Sequence, residues 1–247
     1  MARVSKLERE IIKCGKDPIY FIEKYIKVYN SQQSNRLVLT TTQKKLINHI
    51  INNDLSITVK ARSIGATVIE IALSIWNALF HKNKTIIIVS VDQQMNKHYA
   101  TIINDILTDN VLCNLIYAFN APRTNRSKSK KNYLFEFVNG SSIYCYNVIN
   151  VTNSSLSADF IILDECTLYS DLQNIMAHIT PLIKKGGKLA LISTPTFTTS
   201  YFYKLATDKS LSFSTITLPH DNNFSQINYH ENEHRNIYRD LENLFNE

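Results

Sequence analysis

The sequence predicts an α/β fold, a doubly wound and mostly parallel sheet flanked by helices. Short, continuous apolar runs at residues 55–59, 85–90, 158–163 and 188–193 alternate with segments of helical periodicity, the pattern of a sheet buried on both faces. Three of these runs open onto polar stretches, at residues 60–67, Asp164-Glu165 and 193–196. Ligands of such sheets bind beyond the carboxyl ends of the strands, so this coincidence predicts where function lies.

The elements follow in order. Residues 6–13 read as a short charged helix. A second helix is predicted over 18–29, where Ile19, Ile22, Tyr25, Ile26 and Tyr29 recur at helical spacing and Pro18 suits the first turn. Residues 30–37 read as a polar loop, and Thr41 or Thr42 as the cap of a helix to residue 53 with an apolar stripe of Leu46, Ile47, Ile50 and Ile51. Further helices are expected at 68–80, at 92–108 (apolar side Met95, Tyr99, Ile102, Ile103, Ile106), at 171–183 and at 200–207. Asn139-Gly140 between alternating segments predicts a hairpin over 133–148. Lys185-Gly186-Gly187 should break the helix before the 188–193 strand; a last strand is expected at 212–218 and a charged helix at 231–245.

A chain of 247 residues suffices for one large α/β domain or two small ones. The 27 Lys and Arg exceed the 21 Asp and Glu, giving a net charge of +6 that suits an anionic partner without requiring one. The cysteines, Cys14, Cys113, Cys145 and Cys166, form no C-x-x-C or His/Cys cluster, which argues against a zinc site or a disulfide frame. No apolar run has the roughly 20 residues of a membrane span.

Strand, loop and helix over residues 55–80 form the context of a phosphate-binding loop, which aims backbone N–H groups and a helix N-terminus at phosphate. The loop is Lys60-Ala61-Arg62-Ser63-Ile64-Gly65-Ala66-Thr67. Against G-x-x-x-x-G-K-[ST], Gly65 and Thr67 are in place, but Lys60 stands at the first glycine and Ala66 at the lysine. An ordinary strand-loop-helix is the plain alternative. Thr67 offers a hydroxyl for Mg²⁺, and Asp164, at the end of an apolar strand, has the position of a Walker B aspartate. Glu165 beside it suits the activation of water; paired acids also occur in caps and turns. Lys60 could reach the phosphates from the other side, and Arg62 could serve as clamp or as arginine finger in cis. Gln43, just upstream, is placed to read an adenine edge, with a plain surface Gln as the alternative. Arg123, Arg126, Lys128, Lys130 and Lys131 crowd a basic stretch that is either a solvated linker or a contact to the DNA backbone.

Several of these segments together resemble the ATPase domain of the large terminase subunits of tailed bacteriophages. The matching stretches are DPIYFIEKYIKV (17–28), LTTTQKKLI (39–47) with Gln43, VKARSIGAT (59–67), FVNGSSIYCY (137–146), FIILDECTLY (160–169) and LISTPTFTTSYFYKL (191–205), spanning roughly residues 15–220. The resemblance implies a P-loop NTPase of the ASCE type, with N-terminal helices and adenine-side motif at 1–54, an ATPase core with an inserted hairpin at 55–220, and a polar segment at 221–247. It implies a deviant loop, K-x-x-x-x-G-x-[ST], in which Lys60 is the working lysine, with an altered residue at position 66 as the other reading. Loop residues 60–67 would bind ATP, Thr67 and Asp164 would hold Mg²⁺, and Glu165, Lys60 and Arg62 would be catalytic. Ser193, Thr194 and Pro195 would form the coupling motif. Implied partners are double-stranded DNA, the portal protein and the small terminase subunit, in the cytoplasm of an infected bacterium. A homo-oligomeric ring is implied on the portal, with a monomer in isolation. Asn150 to Ser157 lacks an Arg-Gly associated with relatives, and no nuclease activity is expected of this chain. The other readings are a helicase-like DNA-dependent ATPase and a catalytically degenerate nucleotide- or DNA-binding module.

Overall fold

The N-terminal fifth builds a shoulder against which the sheet leans. Helices α1 (Lys6–Lys16) and α2 (Pro18–Tyr25) are followed by a ribbon of β1 (Lys27–Asn30) and β2 (Gln33–Arg36), then by α3 (Thr41–Asn52). The second helix is shorter than its periodicity predicts. Ile26 adopts an extended conformation as its C-cap, and residues 27–30 pair antiparallel with 33–36 where a polar loop is expected. Cross-strand pairing overrides the helical spacing of Tyr29. The cap of α3 is Thr40, not Thr41 or Thr42: its side chain accepts from the Gln43 N–H while the Gln43 side chain accepts from the Thr40 N–H, a capping box. This computed structural model describes residues 6–30, 33–108, 122–123 and 133–219.

The main sheet contains β3 (Leu55–Lys60), β4 (Thr85–Ser90), β5 (Pro122–Arg123), β6 (Tyr133–Phe137), β7 (Ser142–Asn147), β8 (Ala158–Asp164), β9 (Ile183–Ser193) and β10 (Ser214–Leu218). Their order is β10-β3-β9-β8-β4-β7-β6-β5. The pairs from β10 to β7 are parallel, and only β7/β6 and β6/β5 are antiparallel. The predicted α/β class and hairpin are therefore present, and β9 separates β3, which leads into the 60–67 loop, from the strand that ends in Asp164.

Helices α4 (Ala66–Phe80) and α5 (Gln93–Thr108) cover one face, and α6 (Val148–Thr152), α7 (Leu172–Ile179) and α8 (Tyr201–Thr207) belong to the other. Alternation along the strands sorts the core. Ile86, Ile88, Phe160, Ile162, Ala190 and Ile192 pack with α1 to α5, whereas Ile57, Val59, Ile87, Val89, Ile161, Leu163, Leu189 and Leu191 pack with α6 to α8. Phe21, Ile22, Leu46 and Ile47 share the first core with α4, so the N-terminal helices and the sheet form one continuous interior.

Two predicted boundaries move. The 171–183 helix ends at Ile179, a 3₁₀ turn carries Pro181, and β9 begins at Ile183 rather than residue 188. Lys185-Gly186-Gly187 thus lies inside a strand. Gly186 at φ 75° and a register shift opposite Ala158 and Phe160 show that the glycines permit a bulge. The polar segment after β7 contains α6, capped by the Asn147 side chain. The 231–245 helix and the 221–247 segment lie outside the described residues.

Candidate active site

The candidate phosphate loop begins where β3 runs out. Lys60 is two residues beyond Thr58, so its side chain leaves β3 on the face covered by α4 and α5, and it is buried at 4% exposure. The chain then turns through residues 61–65 and enters α4. Gly65 is the N-cap at φ 75°, no side chain caps the helix, and the first-turn amides keep the partial positive charge that suits an anion. Space also demands glycine there: a Cβ on Gly65 would meet the Gln43 Nε2 at 2.8 Å.

On β8, Asp164 shares the parity of Phe160 and Ile162 and emerges on the same face as Lys60. Two contacts join the strand ends. Lys60 Nζ donates to Glu165 Oε1 at 2.5 Å, and Thr67 Oγ1 donates to Asp164 Oδ2 at 2.7 Å. Glu165 itself sits at φ 49°, and Ser63 in the loop at φ 60°. Left-handed conformations at non-glycine residues cost energy, and two of the three among the described residues fall in the candidate site, the third being Asn83.

The third strand end closes the set. Ser193 Oγ and the Thr194 N–H each lie 3.4 Å from Glu165 Oε2 as donors, and the Thr167 N–H donates to Ser193 Oγ at 3.1 Å. Thr167 Oγ1 donates to the Thr194 carbonyl at 2.9 Å. Ser193, Thr194 and Pro195 are all buried. The predicted coupling residues Ser193 and Thr194 therefore contact the predicted catalytic glutamate.

Other predicted residues have more specific placements. Gln43 is buried, and its amide braces the loop: Oε1 accepts from the Thr40 N–H at 3.0 Å and Nε2 donates to the Ile64 carbonyl at 2.9 Å. Each amide atom keeps one further hydrogen-bonding position for an adenine edge. The Ala61 N–H is committed to the Leu218 carbonyl at 2.9 Å, which ties the loop to β10. Arg62 is exposed on the loop surface, in contrast to Lys60. Arg123 lies in β5, at the sheet edge remote from β3, in register with Glu136. Arg126, Lys128, Lys130 and Lys131 lie outside the described residues.

Three neighbours join the site beyond the residues that the motifs name. Tyr99, which periodicity places on an apolar helix face, donates its hydroxyl to Asp164 Oδ2 at 2.5 Å. Thr167 forms the link to Ser193 and Thr194. Glu70 is fully buried in α4 with neither carboxylate oxygen hydrogen-bonded. A lone acid in the apolar run of 66–80 was the available signal for Glu70; Tyr99 gave none. Burial, and then the nearby Asp164 charge, hold the Glu70 carboxyl well above the ordinary carboxylate value. Burial also raises Asp164, against the Lys60 charge and the Tyr99 and Thr67 hydroxyls.

These residues fit a Mg²⁺–phosphate site. Asp164 Oδ1 is buried without a hydrogen-bond partner, and Thr67 gives its hydroxyl hydrogen to Oδ2, leaving its lone pairs for a cation. Among the described residues no group of three His, Cys, Asp or Glu could hold a metal. Mg²⁺ bound mainly through phosphates and water needs only one or two protein oxygens.

No family model matches the chain, and no curated protein matches it in sequence. Solved structures do. The large terminase of bacteriophage HK97 aligns with a TM-score of 0.64 and 13% identity, over 94% of this chain and 52% of the terminase. The large terminase of a thermophilic bacteriophage aligns with a TM-score of 0.58 and 13% identity, over 82% of this chain and 51% of its own. The large-terminase ATPase domain of Thermus phage P74-26 aligns with a TM-score of 0.53 and 13% identity, over 88% and 86%. The fold is that of the large-terminase ATPase domain. This chain spans about half the length of the first two terminases. The second of them has also been solved with ATP-γ-S and with ADP. The fold likeness extends to the UvsW helicase of bacteriophage T4, with a TM-score of 0.50 and 15% identity over 72% of this chain and 59% of the helicase.

Proposed function

We propose that this chain is the ATP-hydrolysing motor domain of a viral genome-packaging terminase, converting hydrolysis into movement of double-stranded DNA into a procapsid. The observation that carries the reading is the burial of Lys60 against Glu165, beside the Thr67–Asp164 bond, at the carboxyl ends of β3 and β8. This burial supports Lys60, at the first loop position, as the cation that triphosphate chemistry needs, although Ala66 occupies the usual lysine position.

In this reading the α4 amides and Lys60 bind the phosphates, Gln43 holds the loop, and Arg62 is an outer clamp. Thr67 and Asp164 would hold Mg²⁺, which would neutralise phosphate charge. Glu165 takes a proton from the attacking water as its oxygen bonds to the γ-phosphorus. The electron pair of the broken bond leaves with ADP. General-base assistance of this kind contributes roughly 10²–10⁴-fold. Ser193 and Thr194, in reach of Glu165, register the change and pass it to the α7–α8 side. Portal protein, the small terminase subunit and a ring of copies complete the motor in the infected cell.

The test is hydrolysis and nucleotide binding by wild type, Lys60→Ala and Glu165→Ala, with portal and DNA present. Glu165→Ala should bind ATP and not turn it over; Lys60→Ala should lose both. A wild type without hydrolysis sinks the motor reading. The fold likeness to UvsW keeps a helicase-like ATPase as the second reading, and strand separation without any need for portal would favour it.

A further inference from the structure

Asp164 Oδ2 accepts two hydrogen bonds, from Thr67 Oγ1 at 2.7 Å and from Tyr99 Oη at 2.5 Å, while Oδ1 is buried without a partner. Tyr99 is 1% exposed and reaches Asp164 from α5, an element that none of the phosphate-site motifs includes. We propose that Tyr99 is a positioning residue for the metal site, fixing the Asp164 carboxylate so that Oδ1 and the lone pairs of Thr67 stay available to a cation. The assignment rests on the nucleotide-binding reading above.

The chemistry follows from what each atom has left to give. With both donors on Oδ2, rotation of the carboxylate about its last bond is blocked at one oxygen. Thr67 in turn has its hydrogen directed at Oδ2, so its lone pairs cannot turn toward the aspartate. Removal of the tyrosine hydroxyl leaves Oδ2 with Thr67 alone, and the carboxylate is then free to swing and take the Thr67 hydroxyl with it. Groups of this kind, one step removed from the ion, typically contribute about 10–100-fold to metal affinity. The plainer account is that a buried tyrosine hydroxyl takes any acceptor within reach. Under it, Tyr99 affects folding stability and leaves metal dependence alone.

The two accounts separate in a binding experiment that needs no turnover. A fluorescent ATP analogue is titrated into wild type, Tyr99→Phe and Ile103→Val, each in EDTA and across a range of Mg²⁺. Mn²⁺ bound in the presence of nucleotide is counted by electron paramagnetic resonance. Ile103 is fully buried on the same helix, so Ile103→Val loosens packing and keeps the hydroxyl. Tyr99→Phe should bind the analogue as wild type does in EDTA, yet need about 10–100-fold more Mg²⁺ and retain correspondingly less Mn²⁺. Ile103→Val should match wild type in both. An unchanged Mg²⁺ dependence in Tyr99→Phe, or an equal loss in Ile103→Val, overturns the Tyr99 assignment alone. A wild type with no Mg²⁺-dependent nucleotide binding overturns the proposed function and this assignment with it.

Discussion

Lys60 Nζ and Glu165 Oε1 lie 2.5 Å apart, although their strands are not neighbours. Lys60 is 4% exposed and Glu165 27%, so the pair closes the space between the phosphate loop and β8. A phosphate that reaches Lys60 competes with this carboxylate. Glu165→Gln should therefore bind ATP more tightly than wild type, by about tenfold for one charge-assisted hydrogen bond, while turnover falls. Equilibrium nucleotide titration paired with single-turnover hydrolysis reads both effects. Equal or weaker binding by Glu165→Gln would show that the pair does not oppose phosphate.

Gly65 should be among the least replaceable residues of the loop. Its φ of 75° disfavours any side chain, and a Cβ would press on the Gln43 amide that holds the Ile64 carbonyl. Gly65→Ala is expected to cost about 1–2 kcal/mol from the backbone conformation alone. Urea unfolding measures that loss, and nucleotide binding should fall with it as the Gln43 brace is displaced. A variant as stable as wild type would mean that the loop relaxes without strain.

Glu70 is expected to make stability fall as pH rises. Burial and Asp164 place its folded-state value well above the ordinary 4.5, with Lys60 acting in the opposite direction and Glu165 adding to the rise. A raised carboxyl value means that the folded protein holds the proton more tightly than the unfolded chain. Its stabilising effect is complete below about pH 4.5 and is lost as pH climbs through the folded-state value. Glu70→Gln should remove this component and gain about 1–3 kcal/mol near pH 8 relative to wild type. Melting temperatures at pH 5 and pH 8 check it; the two proteins should differ more at the higher pH.

The acid side belongs to Glu10 on α1. Its Oε1 accepts from Lys24 Nζ at 2.7 Å, Tyr25 Oη at 2.8 Å and Tyr20 Oη at 2.9 Å. The hydrogen bond from Lys24 leads in lowering its value from 4.5 to about 2, with the Tyr25 and Tyr20 hydroxyls assisting. A depressed carboxyl stabilises above about pH 4.5, and that contribution disappears as pH falls toward 2. The group is partly exposed, so its worth is about 1 kcal/mol. Glu10→Gln should lose that amount at pH 7 and melt like wild type near pH 2. A gap of equal size at both pH values would rule this account out.

Much of this architecture was legible because the buried strands read as uninterrupted apolar runs and end in their functional residues. Lys60, Asp164 and Glu165 could be named from strand ends, Thr67 from the loop spacing and Ser193 from the family resemblance, and the structure brings them into contact. The misreadings have local causes. Tyr29 continues a helical spacing that strand pairing overrides, and Gly186-Gly187 reads as a stop where it permits a bulge. The cap at Thr40 was available in the Thr40-to-Gln43 spacing, since a capping box specifies both ends. Tyr99 was not available, because helical periodicity assigns it to the core and only the approach of α5 to β8 gives its hydroxyl a partner.

Lys60 and Asp164 belong to the face of the sheet covered by α4 and α5, whereas Ser193 follows Leu189 and Leu191 on the face covered by α7 and α8. Glu165 touches Lys60 with one carboxylate oxygen and is approached by Ser193 and Thr194 at the other. The Glu165 carboxylate thus joins the two faces of the sheet at the strand ends. In the proposed motor, a compound or protein bound against the α7–α8 side is expected to alter turnover without competing for ATP, and steady-state kinetics would show noncompetitive inhibition.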